Sequence, residues 1–201
     1  MNQSKFQSGF SLYELIAVLT IIGIALAMSL PQMYRQVMRR NNEATYLQFK
    51  AILKHAQAEA FRRGAPITVC AASFFTNSSG NHTYLGNNTC NGQNWNEGVL
   101  VLRDLNQNGS YNTGERIRAY RFDADVSITA TNSVNAGVSS FIIASNGQIA
   151  TANTPFSFTF SQSKYGMSYT RKICVNSYGN VCIKNEDDTS ACTSTGDTTC
   201  N

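Results

Sequence analysis

The chain has 201 residues, 42% of them hydrophobic, and a formal charge of +4 at neutral pH. Such a length leaves room for one soluble domain of ordinary size beside a single apolar span, and so excludes a second large domain. The mildly basic balance permits contact with a polyanion without demanding one.

The polar start MNQSKFQSG runs directly into residues 9–30, GFSLYELIAVLTIIGIALAMSL. From Phe10 to Leu30 the run has about the length needed to cross a hydrocarbon layer of roughly 30 Å as a helix. It carries one acid, Glu14, a turn inside its start. Carboxylates at that depth are costly and usually functional. The order of segments is that of a secretory signal, but an ordinary signal is cut after its apolar run and discarded with it. Here the candidate junction is Gly9/Phe10, ahead of the apolar run, so cutting keeps the helix.

Gly9-Phe10-Ser11-Leu12-x-Glu14-Leu15 followed by an unbroken apolar helix resembles the class III signal of type IV prepilins and type II secretion pseudopilins. The resemblance implies a leader of residues 1–9 removed by prepilin peptidase, an N-methylated Phe10, and a retained helix for membrane storage and filament packing. The charge of +4 then falls by one, since the leader holds Lys5 and no acid. A free α-amino group on Phe10 is largely protonated near neutral pH. Glu14 of a neighbouring subunit can pair with it, a contact that acts mainly as a register device because desolvation cancels much of its Coulomb gain.

Arg35, Arg39 and Arg40 follow the apolar run, against one lysine before it. The positive-inside rule therefore places the C-terminal side in the cytoplasm. The six cysteines argue the other way: they are dispersed, form no C-x-x-C pair and are not spaced with His55 or His82 as zinc ligands. They point to an oxidising compartment for residues 32–201, the topology that processing by prepilin peptidase also implies. Cys70 and Cys90 bracket a Ser/Asn/Gly-rich loop and are expected to bridge. Cys174 and Cys182 flank Asn176-Ser177-Tyr178-Gly179-Asn180 and can face each other across a hairpin, with Cys192 and Cys200 as alternative partners.

Pro31 lies within a longer helical pattern, so it is expected to kink the helix rather than end it. In the amphipathic half, residues 31–63, Phe49, Ile52, Leu53, Ala56 and Ala60 recur at three-to-four spacing, a stripe able to pack on a sheet. Arg62-Arg63-Gly64-Ala65-Pro66 stops it with cations at the helix end, then glycine and proline. One helix over residues 10–63 would run roughly 80 Å.

Residues 64–201 change to short β-type runs with turn punctuation. The expected strands are Ile67–Ala71, Val99–Arg103, Arg116–Phe122, Val126–Ile128, Ser139–Ala144, Phe156–Phe160, Ser168–Val175 and Val181–Lys184. Phe156, Phe158 and Phe160 alternate with Ser157 and Thr159, the pattern of a sheet with one buried face. The fold expected is α+β, a lollipop whose long helix packs its outer half on an antiparallel sheet. Asn94-Trp95-Asn96-Glu97-Gly98, Val99–Leu102, Asp104–Gly109 and Glu115-Arg116-Ile117-Arg118 resemble the strand, polar turn and strand of GspH pseudopilins and FimT/FimU-like minor pilins.

Residues 104–115 fit the EF-hand calcium-loop pattern, with Asp104, Asn106, Asn108, Ser110 and Glu115 as ligands and Gly109 sixth. The flanks read as strands instead of helices, and an Asn-Gly hairpin turn explains much of the loop without metal. With two charged ligands at most, calcium would be held weakly. FimT-like pilins can bind DNA through a basic GRxR-type turn near the C-terminus. The corresponding turn here, Tyr178–Cys182, keeps the glycine and lacks both arginines. Arg171, Lys172 and Lys184 are the nearby candidates for phosphate, opposed by Glu186, Asp187, Asp188 and Asp197, so solvated strand charge is the favoured reading. Asn77, Asn81 and Asn87 match glycosylation sequons and are read as turn composition.

No nucleophile elbow, phosphate loop, zinc-protease motif or kinase set is present, so no enzyme is expected. The sequence is read as a minor pilin of a type IV pilus, stored in the inner membrane with a periplasmic domain and moved to the cell surface on assembly. Its partners are other major and minor pilins, prepilin peptidase and the membrane. A type II secretion pseudopilin and a DNA-binding pilin for natural transformation are the alternatives.

Overall fold

The computed structural model describes residues 11–72, 74–76, 82–84, 90, 94–106, 111–112, 114–122, 125–164, 166–184 and 192, the side chains of 28–31, 75–76 and 82–84 excepted. One helix, α1 (Leu12–Arg63), accounts for 52 residues and continues through position 31. The chain divides into two compact units, residues 1–38 and 39–201, so the division falls inside α1.

In the first unit Ser11 caps the helix, its Oγ accepting from Tyr13 N at 3.3 Å and its carbonyl from Glu14 N at 3.0 Å. The interior is built from Leu, Ile and Ala, and Thr20 is the polar exception among its apolar neighbours. Its hydroxyl donates back to the carbonyls of Ala17 (2.8 Å) and Ile16 (3.1 Å), so it takes no unsatisfied donor into an apolar surrounding.

In the second unit α1 ends in a charged clasp. Glu59 accepts from Arg62 Nη2 and Arg63 Nε, both at 2.7 Å. The bonds from Arg62 and Arg63 outweigh partial burial and hold the Glu59 carboxyl down at about 2, against the ordinary 4.5. Because the folded-state value is depressed, the clasp stabilises fully above the unfolded value and is lost as pH falls through the folded one. Glu59→Gln is therefore expected to differ from the parent in melting temperature at neutral pH and to converge on it between pH 4.5 and about 2. A constant difference across that range would contradict the assignment. Solvent exposure of Arg62 keeps the effect small.

Among the described residues ten strands follow: β1 (Ile67–Ala71), β2 (Phe74–Thr76), β3 (His82–Tyr84), β4 (Gly98–Leu102), β5 (Arg116–Arg121), β6 (Ser127–Thr131), β7 (Ser140–Ile143), β8 (Phe156–Lys164), β9 (Met167–Val175) and β10 (Val181–Ile183). They form two four-stranded sheets, ordered β5-β4-β1-β7 and β10-β9-β8-β6, and a ribbon of β2 and β3. All the pairings are antiparallel. The α+β fold class expected from sequence is thus present, with two sheets in place of one.

The two sheets differ in texture because they are covered differently. In β1 and β4 every residue is buried, since Val99 and Val101 face the main core while Leu100 and Leu102 face a second cluster with Cys70, Ala72 and Cys90. A strand covered on both faces reads as an unbroken apolar run. In β8 burial alternates along Phe156, Phe158 and Phe160, one face turned to the core. Phe49 of α1 meets that face at ring-centroid distances of 4.5 Å from Phe158 and 5.6 Å from Phe160, and Trp95 sits edge-on to Phe49 at 6.1 Å. Trp95 is fully buried and donates its indole N–H to Val138 O at 2.7 Å, which satisfies its one polar atom.

Cys70 is bonded to Cys90, with Cα atoms 5.4 Å apart, fastening the ribbon segment to β1. Cys174 and Cys182 do face each other across β9 and β10, being Cα partners in that ladder. The bond from Cys174 goes instead to Cys192, 18 residues on, and Cys182 is disulfide-bonded as well. Cys200 lies outside the described residues.

Candidate functional site

The first candidate is the start of α1. Glu14 stands in the first helical turn, where the partial positive charge of the helix end favours an anion. From Ser11 to Tyr34 it is the sole charged side chain. Around it Leu12 is 76% exposed and Tyr13 84%, and the large apolar side chains from Leu15 to Leu26 are also exposed. The helix is long and apolar enough to cross a membrane. Its chemistry is that of one anion on an uncovered apolar rod, a surface that both lipid and other apolar helices can cover. Gly9 and Phe10, the expected processing junction, lie outside the described residues.

The second candidate is the loop between β4 and β5. Glu115, the twelfth position of the calcium-loop pattern, is buried. Its Oε1 accepts from Leu105 N at 3.0 Å, and its Oε2 accepts from Asn112 N at 2.7 Å and Asn112 Nδ2 at 3.2 Å. Burial opposes ionisation of this carboxyl, but the N–H groups of Asn112, Leu105 and Asn106 outweigh it and lower its pKa. A carboxylate so placed acts as a strut that closes the loop on its own amides. Both oxygens would have to release those donors to grip a cation bidentately. Asp104 and Asn106 are described; Asn108 and Ser110 are not. The flanks are the strands β4 and β5. Millimolar calcium is accordingly expected to leave the melting temperature unchanged, whereas Glu115→Gln lowers it in calcium and in chelator alike. A calcium-dependent rise, lost in Asp104→Ala, would show that the loop takes the metal.

The third candidate is the set Arg171, Lys172 and Lys184. Arg171 is the Cα partner of Phe160, so it lies on the face of β9 turned toward α1. There its guanidinium sits 5.4 Å over the Tyr46 ring, and Nη1 donates to Tyr169 Oη at 3.3 Å. Burial works against its charge, but Tyr169, Tyr46 and Glu43 outweigh it and push its pKa up. Lys172 points to the opposite face by strand alternation. Lys184, whose N–H donates to Lys172 O at 2.9 Å, is buried. These three cations do not form a row open to phosphates. Arg39, one of the cations that follow the apolar run, stands 6.0 Å over the Tyr169 ring and so belongs to the same aromatic cluster.

Sequence reading missed Gln57 and Glu97. Gln57 Nε2 donates to the carbonyls of Gly147 (3.2 Å) and Gly179 (2.9 Å), and Glu97 Oε2 accepts from Phe74 N at 2.7 Å. Gln57 had a signal, a polar residue beside the buried stripe formed by Leu53, Ala56 and Ala60. Glu97 had none, because its partner strand is a three-residue segment in a polar stretch. His55 stacks edge-on to Tyr120 at 5.9 Å and is 4.0 Å from Glu59, a surface arrangement. The sequon residues Asn77, Asn81 and Asn87 lie outside the described residues. Among the described residues no group of three or more His, Cys, Asp and Glu side chains is placed to hold a metal.

A family model described as "Type II transport protein GspH" matches residues 47–179. No curated protein matches the chain. Among solved structures, the type IV minor pilin FimU of Pseudomonas aeruginosa has 17% identity and a TM-score of 0.51, covering 77% of this chain and 92% of its own. A second crystal form of FimU gives 14% identity and a TM-score of 0.49, covering 73% of this chain and 94% of its own. The minor pseudopilin EpsH of Vibrio cholerae has 9% identity and a TM-score of 0.44, with 74% and 99% covered. The FimU likeness shows that the fold is shared.

Proposed function

Since the chain belongs to the GspH family of minor pilins and pseudopilins, we propose that it is a minor pilin of a type IV pilus, a structural subunit that primes or joins the filament. The observation that carries this reading is the uncovered apolar helix with Glu14 in its first turn. After cleavage at Gly9/Phe10 by prepilin peptidase the same helix serves twice, as a membrane anchor before assembly and as filament core afterwards. The domain then stands in the periplasm, where its disulfides form, and reaches the surface with the pilus. Its partners are the other pilins, and its work is assembly; the family is structural.

The description of the family model favours a second reading, a pseudopilin of type II secretion. DNA uptake draws less support, because Arg171 is engaged by Tyr46 and Tyr169 and Lys184 is buried. Deleting the gene and measuring piliation, secretion and DNA uptake in the same strain separates the three. Loss of pili with secretion intact is expected. Loss of secretion with normal pili would move the protein to the other machine.

A further inference from the structure

At the C-terminal end of α1 the second unit leaves two large aromatic rings unburied. Phe61 is 61% exposed and Tyr178 64%. They flank two turns locked together from beneath. Gln57 donates to the carbonyls of both Gly147 and Gly179, and Ile149 N donates to Ser177 O at 2.8 Å. Both glycines are buried and have left-handed backbones, with φ of +77° and +75°. A Cβ on Gly147 would lie 2.7 Å from the Phe61 ring, and one on Gly179 would collide with Gln57 and come within 2.6 Å of Gly147 O. The Phe61 ring therefore rests on the backbone of one turn, and the second turn rests on the first.

Phe61 thus lies on the first turn and Tyr178 belongs to the second, beside exposed amides of Asn146, Gln148 and Asn180; Asn146 Nδ2 donates to Gln148 Oε1 at 3.1 Å, which leaves each of these two amides a further N–H. Charge is sparse there. Lys54 donates to Gln57 Oε1 at 3.0 Å, and Glu59 offsets one of the two charges of Arg62 and Arg63. A nucleic-acid backbone needs many more cations than this. A pyranose ring needs something else: a flat apolar surface for its C–H face, and groups that both donate and accept for its hydroxyls. Exposed Phe and Tyr supply the first through dispersion contacts, and primary amides supply the second.

We propose that this end face is a glycan-binding surface, with a sugar ring stacked on Phe61 or Tyr178 and hydrogen-bonded by Asn146, Gln148 and Asn180. Gln57 is a positioning residue that holds the two turns in contact. The proposal does not depend on which filament carries the chain, so it is tested on the purified full-length protein in detergent micelles. Saturation-transfer NMR with cellotetraose, chitotetraose and tetragalacturonate is the readout, the acidic sugar distinguishing an anionic ligand from a neutral one. At least one of them is expected to receive saturation from the protein's aromatic protons. At least one of Phe61→Ala and Tyr178→Ala should weaken binding by about tenfold with unchanged melting temperature, and Phe61→Tyr should retain it. Failure of all three sugars to bind, or binding indifferent to both alanine variants, overturns the proposal. So does loss of both variants from the filament without any sugar effect, which would make the face a subunit contact.

Discussion

Replacing Glu14 by alanine is expected to leave the chain in the membrane and to remove it from the filament. The helix that inserts is unchanged, because its apolar run does not depend on the acid. An isolated carboxylate in hydrocarbon costs several kcal/mol by insertion scales, about 2.5 to 3.5 for an aspartate at mid-helix. The substitution therefore makes storage easier. Assembly loses its one charged contact on this part of the helix, since Ser11 to Tyr34 contains no other ionisable group of either sign apart from tyrosine. On the proposed processing, the partner is the α-amino group of a neighbouring Phe10, charged at neutral pH. Removing one member of a desolvated pair leaves the other buried and unpaired, at roughly 3 to 5 kcal/mol. Immunoblots of sheared filaments and of membranes check both halves of the expectation. Glu14→Ala protein recovered in filaments at the normal level would dispose of the pairing.

The second large effect is expected at Phe49. Its side chain is fully buried in α1 and touches rings from every side: Trp95, Phe122, Phe158 and Phe160 have centroids within 6.4 Å. It thus joins the helix to β8 and to the segment before β4. Phe49→Ala removes the ring and leaves a cavity lined by rigid aromatics, which collapse poorly, so a loss of about 3 to 5 kcal/mol follows. Against a domain stability of about 5 to 15 kcal/mol this can unfold the protein at growth temperature. Phe49→Leu keeps most of the volume and is expected to cost less than half as much. Denaturant titration of the two variants decides the matter, and a Phe49→Ala loss below about 1 kcal/mol would mean that the cluster is not the keystone of the core.

Much of this architecture was legible because hydrophobic periodicity reports burial. Phe49, Ile52, Leu53, Ala56 and Ala60 all lie on the buried stripe of α1, and the alternation of Phe156, Phe158 and Phe160 marks a half-covered strand. The division into two sheets was not legible. It depends on β1 pairing with both β4 and β7, contacts of long sequence separation that no local pattern encodes. The ribbon of β2 and β3 was missed for another reason. Its strands are three residues long and sit in a stretch rich in Asn, Ser and Gly, where turn composition masks strand propensity. Cys174 shows the limit of spacing arguments, since the residue across the ladder is Cys182 but the bond is made with Cys192. Glu115 shows a related limit. A letter-for-letter metal pattern places a carboxylate correctly in a loop, yet does not say whether a cation or the loop's own amides will meet it.

On the proposed function the apolar helix is a retained assembly element, where an ordinary signal would be discarded. Mass spectrometry of the N-terminus of the protein recovered from sheared filaments tests it most directly. A chain beginning at N-methylated Phe10 with residues 11–30 intact is expected. A chain still beginning at Met1, or one starting beyond the apolar run, would contradict it.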